Sequence, residues 1–184
     1  YAYKANDPSI LNNYSYKHGE TVLMSLSYSQ KGLAILAQAK RSENMSFRSD
    51  RQANLMAGTI NHMPPFATQH TYMLAALYPY GTHKTANEWA FQGEIRYTWK
   101  RGTAMGGKYG TTLKLNASHI RGTAESWFGM TETPYYTDVN VELNKKINRK
   151  WYIGAMAMYQ TYNKLVVEGH GDLIRSGIGV VEAK

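Results

Sequence analysis

Between Glu88 and Lys100 every second residue belongs to one chemical set. Trp89, Phe91, Gly93, Ile95, Tyr97 and Trp99 interleave with Glu88, Ala90, Gln92, Glu94, Arg96, Thr98 and Lys100. A period of two sorts these sets onto opposite faces of an extended strand, whereas a helix needs a period of 3.6. Such a strand is much longer than the usual ~5–6 residues of a globular strand. Its apolar face carries tryptophan near both ends and smaller groups between, the aromatic-girdle pattern of a strand facing lipid.

Other segments repeat the pattern. Val22, Met24, Leu26 and Tyr28 oppose Leu23, Ser25, Ser27 and Ser29. After a Lys31-Gly32 turn, Leu33, Ile35, Ala37 and Ala39 oppose Ala34, Leu36, Gln38 and Lys40. Further strands are expected from Tyr109 to Ser118, Tyr135 to Asn144 and Trp151 to Asn163. Thr71 to Tyr78 and Asp172 to Lys184 read as strands whose two faces differ less. One more strand at Ala53 to His62 makes short and long connections alternate along the chain, as periplasmic turns and extracellular loops do. With it, Tyr28, Trp99, Tyr109 and Trp151 fall near the short-turn end and Tyr78, Trp89, Tyr135 and Tyr159 near the long-loop end. These eight are the expected membrane-interface aromatics.

The fold class predicted is therefore all-β, an antiparallel meander of about nine amphipathic strands that forms part of a transmembrane β-barrel. One domain, residues 1–184, is expected, with both ends cut, because Tyr1-Ala2-Tyr3-Lys4 and Val180-Val181-Glu182-Ala183-Lys184 read as pieces of strands. The rival fold is a soluble sandwich or lipocalin-like barrel, whose apolar face would be Leu, Ile, Val and Phe without aromatics at both ends.

Composition agrees with the membrane reading. Tyr numbers 15 and Trp 4 against Phe 4, and both enriched residues pair an apolar ring with a polar tip. The mean hydropathy of -0.50 is no obstacle, since every second barrel residue faces water. No run approaches the ~20 apolar residues of a helical span. The net charge of +8 is scattered along the chain, which argues against nucleic acid as a partner. Cysteine is absent, so no disulfide or thiolate metal site can form.

Tyr3-Lys4 with Asp7-Pro8-Ser9, Tyr16-Lys17 with Gly19-Glu20, and the stretch from Lys40-Arg41-Ser42 through Asn44-Met45-Ser46-Phe47-Arg48-Ser49-Asp50-Arg51 carry a resemblance. Asn61 with Pro64, His70-Thr71-Tyr72, Tyr78-Pro79-Tyr80 and Gly106-Gly107-Lys108-Tyr109-Gly110 complete it. In these the first two thirds of the chain resembles an uncharacterised, porin-like family of large outer-membrane β-barrels from Bacteroidetes, a domain of unknown function. The resemblance implies a barrel fold and a cell-envelope location; it implies no reaction, cofactor or ligand.

Two groups of charged residues are candidate sites. Pairing the strands about their turns sets Glu94 near Lys114 and Lys114 near Glu142, a ladder on the lumen face with Arg96 and Asp138 beside it. It either lines a pore or only neutralises the wall. Lys40, Arg41, Arg48 and Arg51 lie within twelve residues at the long-loop end. They are candidate loop contacts for carboxylate or phosphate groups.

Gly106-Gly107-Lys108-Tyr109-Gly110 lacks phosphate-loop spacing and reads as a turn before a strand. The histidines show no metal-binding spacing. Ser118 and His119, with Asn116 nearby, have the residue types of a barrel hydrolase, but adjacent strand residues point apart. The function expected is non-enzymatic and cofactor-free. It is an outer-membrane barrel that passes or binds small polar solutes, or a plugged barrel that partners other envelope proteins. Its primary partner is the lipid bilayer.

Overall fold

The computed structural model describes residues 19–45, 66–80 and 87–184. They form one sheet of seven antiparallel strands paired strictly in chain order: β1 (Glu20–Gln30), β2 (Leu33–Glu43), β3 (Glu88–Trp99), β4 (Thr111–Thr123), β5 (Met130–Lys146), β6 (Tyr152–Asn163) and β7 (Leu173–Ala183). A single short helix, α1 (Lys164–Glu168), lies between β6 and β7. The sheet is open, with β1 and β7 as its edges among the described residues. The expected all-β meander is present. No helix among the described residues is long and apolar enough to cross a membrane, a criterion that says nothing about strands.

Directly paired residues share a face, so the register can be read across all seven strands. One row runs Tyr28, Ile35, Ile95, Leu115, Val141, Ala157 and Gly179. The next apolar row is Leu26, Ala37, Gly93, Ala117, Val139, Tyr159 and Gly177. Between them in the pleat, but on the other face, runs Ser27, Leu36, Glu94, Asn116, Asn140, Met158 and Ile178. Its neighbour is wholly polar: Ser25, Gln38, Gln92, Ser118, Asp138, Gln160 and Ser176. The sheet therefore has one apolar and one largely polar face.

Burial inverts the order of a water-soluble protein. Leu26 is 69% exposed and Val141 38%, whereas Ser118 and Asn140 are 1% exposed and Asp138 is fully buried. The cover over the polar face is the segment 66–80, part of the connection from β2 to β3. Phe66 and Tyr80 pack with Ala90, Ile120, Tyr136, Tyr162 and Val167. Farther along, Ala75 and Tyr72 pack on Met156, Met158, Ile178 and Val180.

This segment corrects the sequence reading. Thr71–Tyr78 is not a strand but a succession of turns, with Ala76 N–H donating to Tyr72 O at 3.0 Å. Tyr72, Ala75 and Tyr78 face the sheet while Met73, Leu74 and Leu77 are exposed. The operative period is three, and tertiary packing overrides the apparent alternation of Tyr72, Leu74, Ala76 and Tyr78. The expected strand Ala53–His62 lies outside the described residues, and β2 pairs directly with β3. Direct antiparallel pairing of β2 with β3 leaves the parity of the described strands unchanged, so each turn stays at its assigned end. Length alone does not sort the ends, because the 100–110 turn outruns the 124–129 connection.

The turns are built from local bonds. Gly32 takes φ +86°, which glycine adopts at no steric cost. Its carbonyl accepts from Thr98 N–H at 2.7 Å. The 100–110 turn is closed by Gly107 N–H to Thr103 O and Gly110 N–H to Gly106 O, both at 2.8 Å. A Cβ at Gly106 would stand 1.9 Å from the carbonyl oxygen of Lys100. The glycine-rich stretch is thus a fixed hairpin connection.

Candidate functional site

The polar face under segment 66–80 concentrates the buried ionisable groups. Near the long-loop end, Lys40 Nζ and Glu88 Oε1 lie 2.5 Å apart, both side chains fully buried. Tyr80 O–H donates to Glu88 Oε2 at 2.6 Å, and the Lys40 ammonium sits 5.2 Å from the Phe66 ring centre. Removing either charge would leave the other buried without its counter-charge, a far larger penalty than losing a surface pair.

Deeper in, Asp138 is met from three sides. Tyr136 O–H donates to Oδ2 at 3.1 Å and Asn140 Nδ2–H to Oδ1 at 3.1 Å. His70 Nε2 is 2.5 Å from Oδ2. Gln160 Nε2–H joins the network to the covering segment, donating to Tyr136 Oη at 3.1 Å and to Tyr78 O at 3.0 Å. His70 Nδ1, Asn116 Nδ2 and Asn140 Oδ1 are buried without a hydrogen-bond partner among the described residues. Buried polar atoms of this kind are where an ordered water belongs.

Toward the short-turn end the charged ladder is assembled. Lys114 Nζ lies 3.6 Å from Glu94 Oε2 and 3.9 Å from Glu142 Oε1, while Arg96 is 3.5 Å from Glu94. Two cations face two carboxylates, so the ladder has no net sign with which to select ions. Partly solvated pairs contribute up to ~1 kcal/mol each. Asp138 stands apart from this ladder, engaged by His70 instead.

Lys40 and Arg41 are strand residues, not loop residues. Lys40 faces inward to Glu88. Arg41, on the apolar face, bonds Glu43 and lies 3.3 Å from Glu20 and 4.9 Å from the Trp127 ring centre. Arg48 and Arg51 lie outside the described residues. The histidine and serine of the hydrolase-like triplet are on opposite faces. His119 uses both ring nitrogens on the apolar side, with Thr137 at 2.9 Å and Arg121 at 2.8 Å, and Ser118 is on the polar row. Among the described residues no three His, Asp or Glu converge as a metal would require.

The aromatics separate into two groups. Tyr28, Trp151 and Tyr159 are 49–55% exposed. Trp99 and Tyr109 stand by the short turns, with Tyr109 near the Lys108 and Lys146 ammonium groups. At the opposite end Trp89 stacks on Phe91, ring centres 5.7 Å apart, and meets Trp127 and Phe128 of the 124–129 connection. Trp127 and Phe128 are missing from the expected aromatics, because the segment Arg121–Pro134 reads as one long loop. Tyr78 and Tyr135 instead pack against the buried cluster of the polar face. Tyr135 turns inward because the register slips by one residue after the Ile120–Tyr136 pair.

Fold and site together define an all-β meander whose polar face is covered in part by its own chain. Residues 1–184 match the model of a family of unknown function, DUF6029, and the chain belongs to that family. No curated protein and no solved structure matches it.

Proposed function

We propose that this chain forms part of the wall of a bacterial outer-membrane β-barrel whose interior is filled by its own 66–80 segment, a non-enzymatic protein of the cell envelope. The observation that carries the reading is the pair of rows crossing all seven strands, one apolar and largely exposed, the other polar and buried where it crosses β4 to β6. In water the apolar face would be a contiguous patch larger than soluble monomers tolerate. Against lipid it is the stable outer surface of a barrel, with exposed aromatics toward both ends. Further strands beyond β1 and β7 would close the barrel and protect the edges. The resemblance to large Bacteroidetes barrels supports the same location.

Segment 66–80 favours a filled interior over a wide pore. Its sheet-facing side is anchored by the His70–Asp138 and Tyr80–Glu88 contacts. Its other side presents Met73, Leu74 and Leu77, 57–81% exposed, which suits packing against an opposite wall better than water. A second reading, a narrow passage for small polar solutes, is favoured by the β1–β3 side, where Gln38 bonds the exposed Ser25.

Planar-bilayer recordings of the full-length protein separate these readings. The filled interior predicts little or no conductance, rising when residues 66–80 are replaced by a short linker. A large steady conductance that this replacement leaves unchanged contradicts it. A protein that stays soluble and monomeric without detergent contradicts the barrel itself.

A further inference from the structure

We infer that the short-turn rim is a docking surface for anionic phospholipid headgroups, centred on the depression between the β1–β2 and β3–β4 turns; the inference rests on the barrel reading above. Cations without an acidic partner are most numerous at the short-turn end among the described residues. At the long-loop end Lys40 pairs with Glu88, Arg41 with Glu20 and Glu43, and Lys164 with Glu168, while Arg121 and Arg175 meet no carboxylate among the described residues. At the short-turn end Lys31, Lys100, Arg101, Lys145, Arg149 and Lys150 have no acidic partner among the described residues. Of the acids on that side, Glu182 is taken by Lys184 at 3.0 Å, and Glu94 and Glu142 lie against Lys114.

The register makes this a continuous band, since β1 to β6 pair in order and their hairpin turns stand side by side. Within it lies a depression of about 360 Å³, lined by Lys31, Lys100, Thr103, Met105 and the rings of Tyr97 and Trp99. Those rings, with centres 5.1 Å apart, belong to the apolar face at the depth where aromatics meet headgroups. Ammonium groups set just beyond an aromatic wall fit a phosphodiester whose acyl chains run down the strands. A negatively charged leaflet attracts such a rim, and a zwitterionic one does so far less.

The test is native mass spectrometry, with thermal melting, of the full-length protein in detergent. Phosphatidylglycerol, phosphatidylcholine of the same chains, and free glycerol phosphate are added in turn. The inference predicts retention of phosphatidylglycerol over phosphatidylcholine, reduced about tenfold in the Lys31→Gln/Lys100→Gln double variant. Both positions are exposed turn or turn-flanking sites, and Lys164→Gln at the opposite end should leave retention unchanged. Equal retention of both lipids overturns the inference while leaving the barrel reading intact. So does undiminished preference in the double variant, or equal binding of glycerol phosphate. Failure of either lipid to bind or stabilise the protein overturns the barrel reading as well.

Discussion

Lys40 and Glu88 illustrate how much a residue's role depends on partners distant in sequence. In the chain, Lys40 and Arg41 open a twelve-residue stretch with four cations and read as a loop that meets an anionic ligand. In the fold the strand continues to Glu43, and consecutive residues go to opposite faces. Nothing local announces Glu88 as the partner, so the ion pair was illegible until strands β2 and β3 were in register. Lys40→Met should destabilise the protein by about 3–5 kcal/mol by stranding the Glu88 carboxylate. Adding Glu88→Gln should recover part of this; urea titration followed by tryptophan fluorescence reads both. Gly122 is a second sensitive point. A Cβ there would fall 2.0 Å from the Tyr135 hydroxyl. Gly122→Ala should therefore cost about 1–3 kcal/mol, with Tyr135→Phe in the same chain relieving part of the loss.

At the scale of elements, the strands with sharp alternation were legible and those without were not, for one physical reason. Alternation survives where one face meets water or polar groups and the other an apolar medium. The polar-face side of β7 bears Ile178 and Val180 beside Ser176 and Glu182, with Tyr72 and Ala75 packed over the apolar pair, so its two faces differ little and its signal is weak. The same cover disguised segment 71–78 as a strand, since its sheet-facing residues recur every third position. The extra length of β5, from Met130, was hidden by the register slip near Pro134. The candidate ladder was legible because Glu94, Lys114 and Glu142 sit on well-patterned strands; His70, reaching Asp138 from the covering segment, was not. Substitutions should respect the faces. Val141→Lys is expected to cost about 2–4 kcal/mol in a lipid-reconstituted protein. Ser27→Lys, on the polar face and exposed, should change stability by less than about 0.5 kcal/mol; equal losses at the two sites would contradict the assignment of faces.

For the whole molecule, the consequence is a sheet turned inside out relative to a soluble protein, with its polar face covered over β4 to β6 and its apolar face open. The absence of cysteine in this chain makes that claim directly measurable. Single cysteines placed in the full-length protein at 138 through 143 of β5 can carry spin labels, with accessibility to oxygen and to a water-soluble nickel chelate read after reconstitution into liposomes. The account predicts a period of two: labels at 139, 141 and 143 accessible to oxygen and shielded from the chelate, and labels at 138, 140 and 142 poorly accessible to oxygen. Chelate access at 139, 141 and 143, or an accessibility profile without that period, would contradict it.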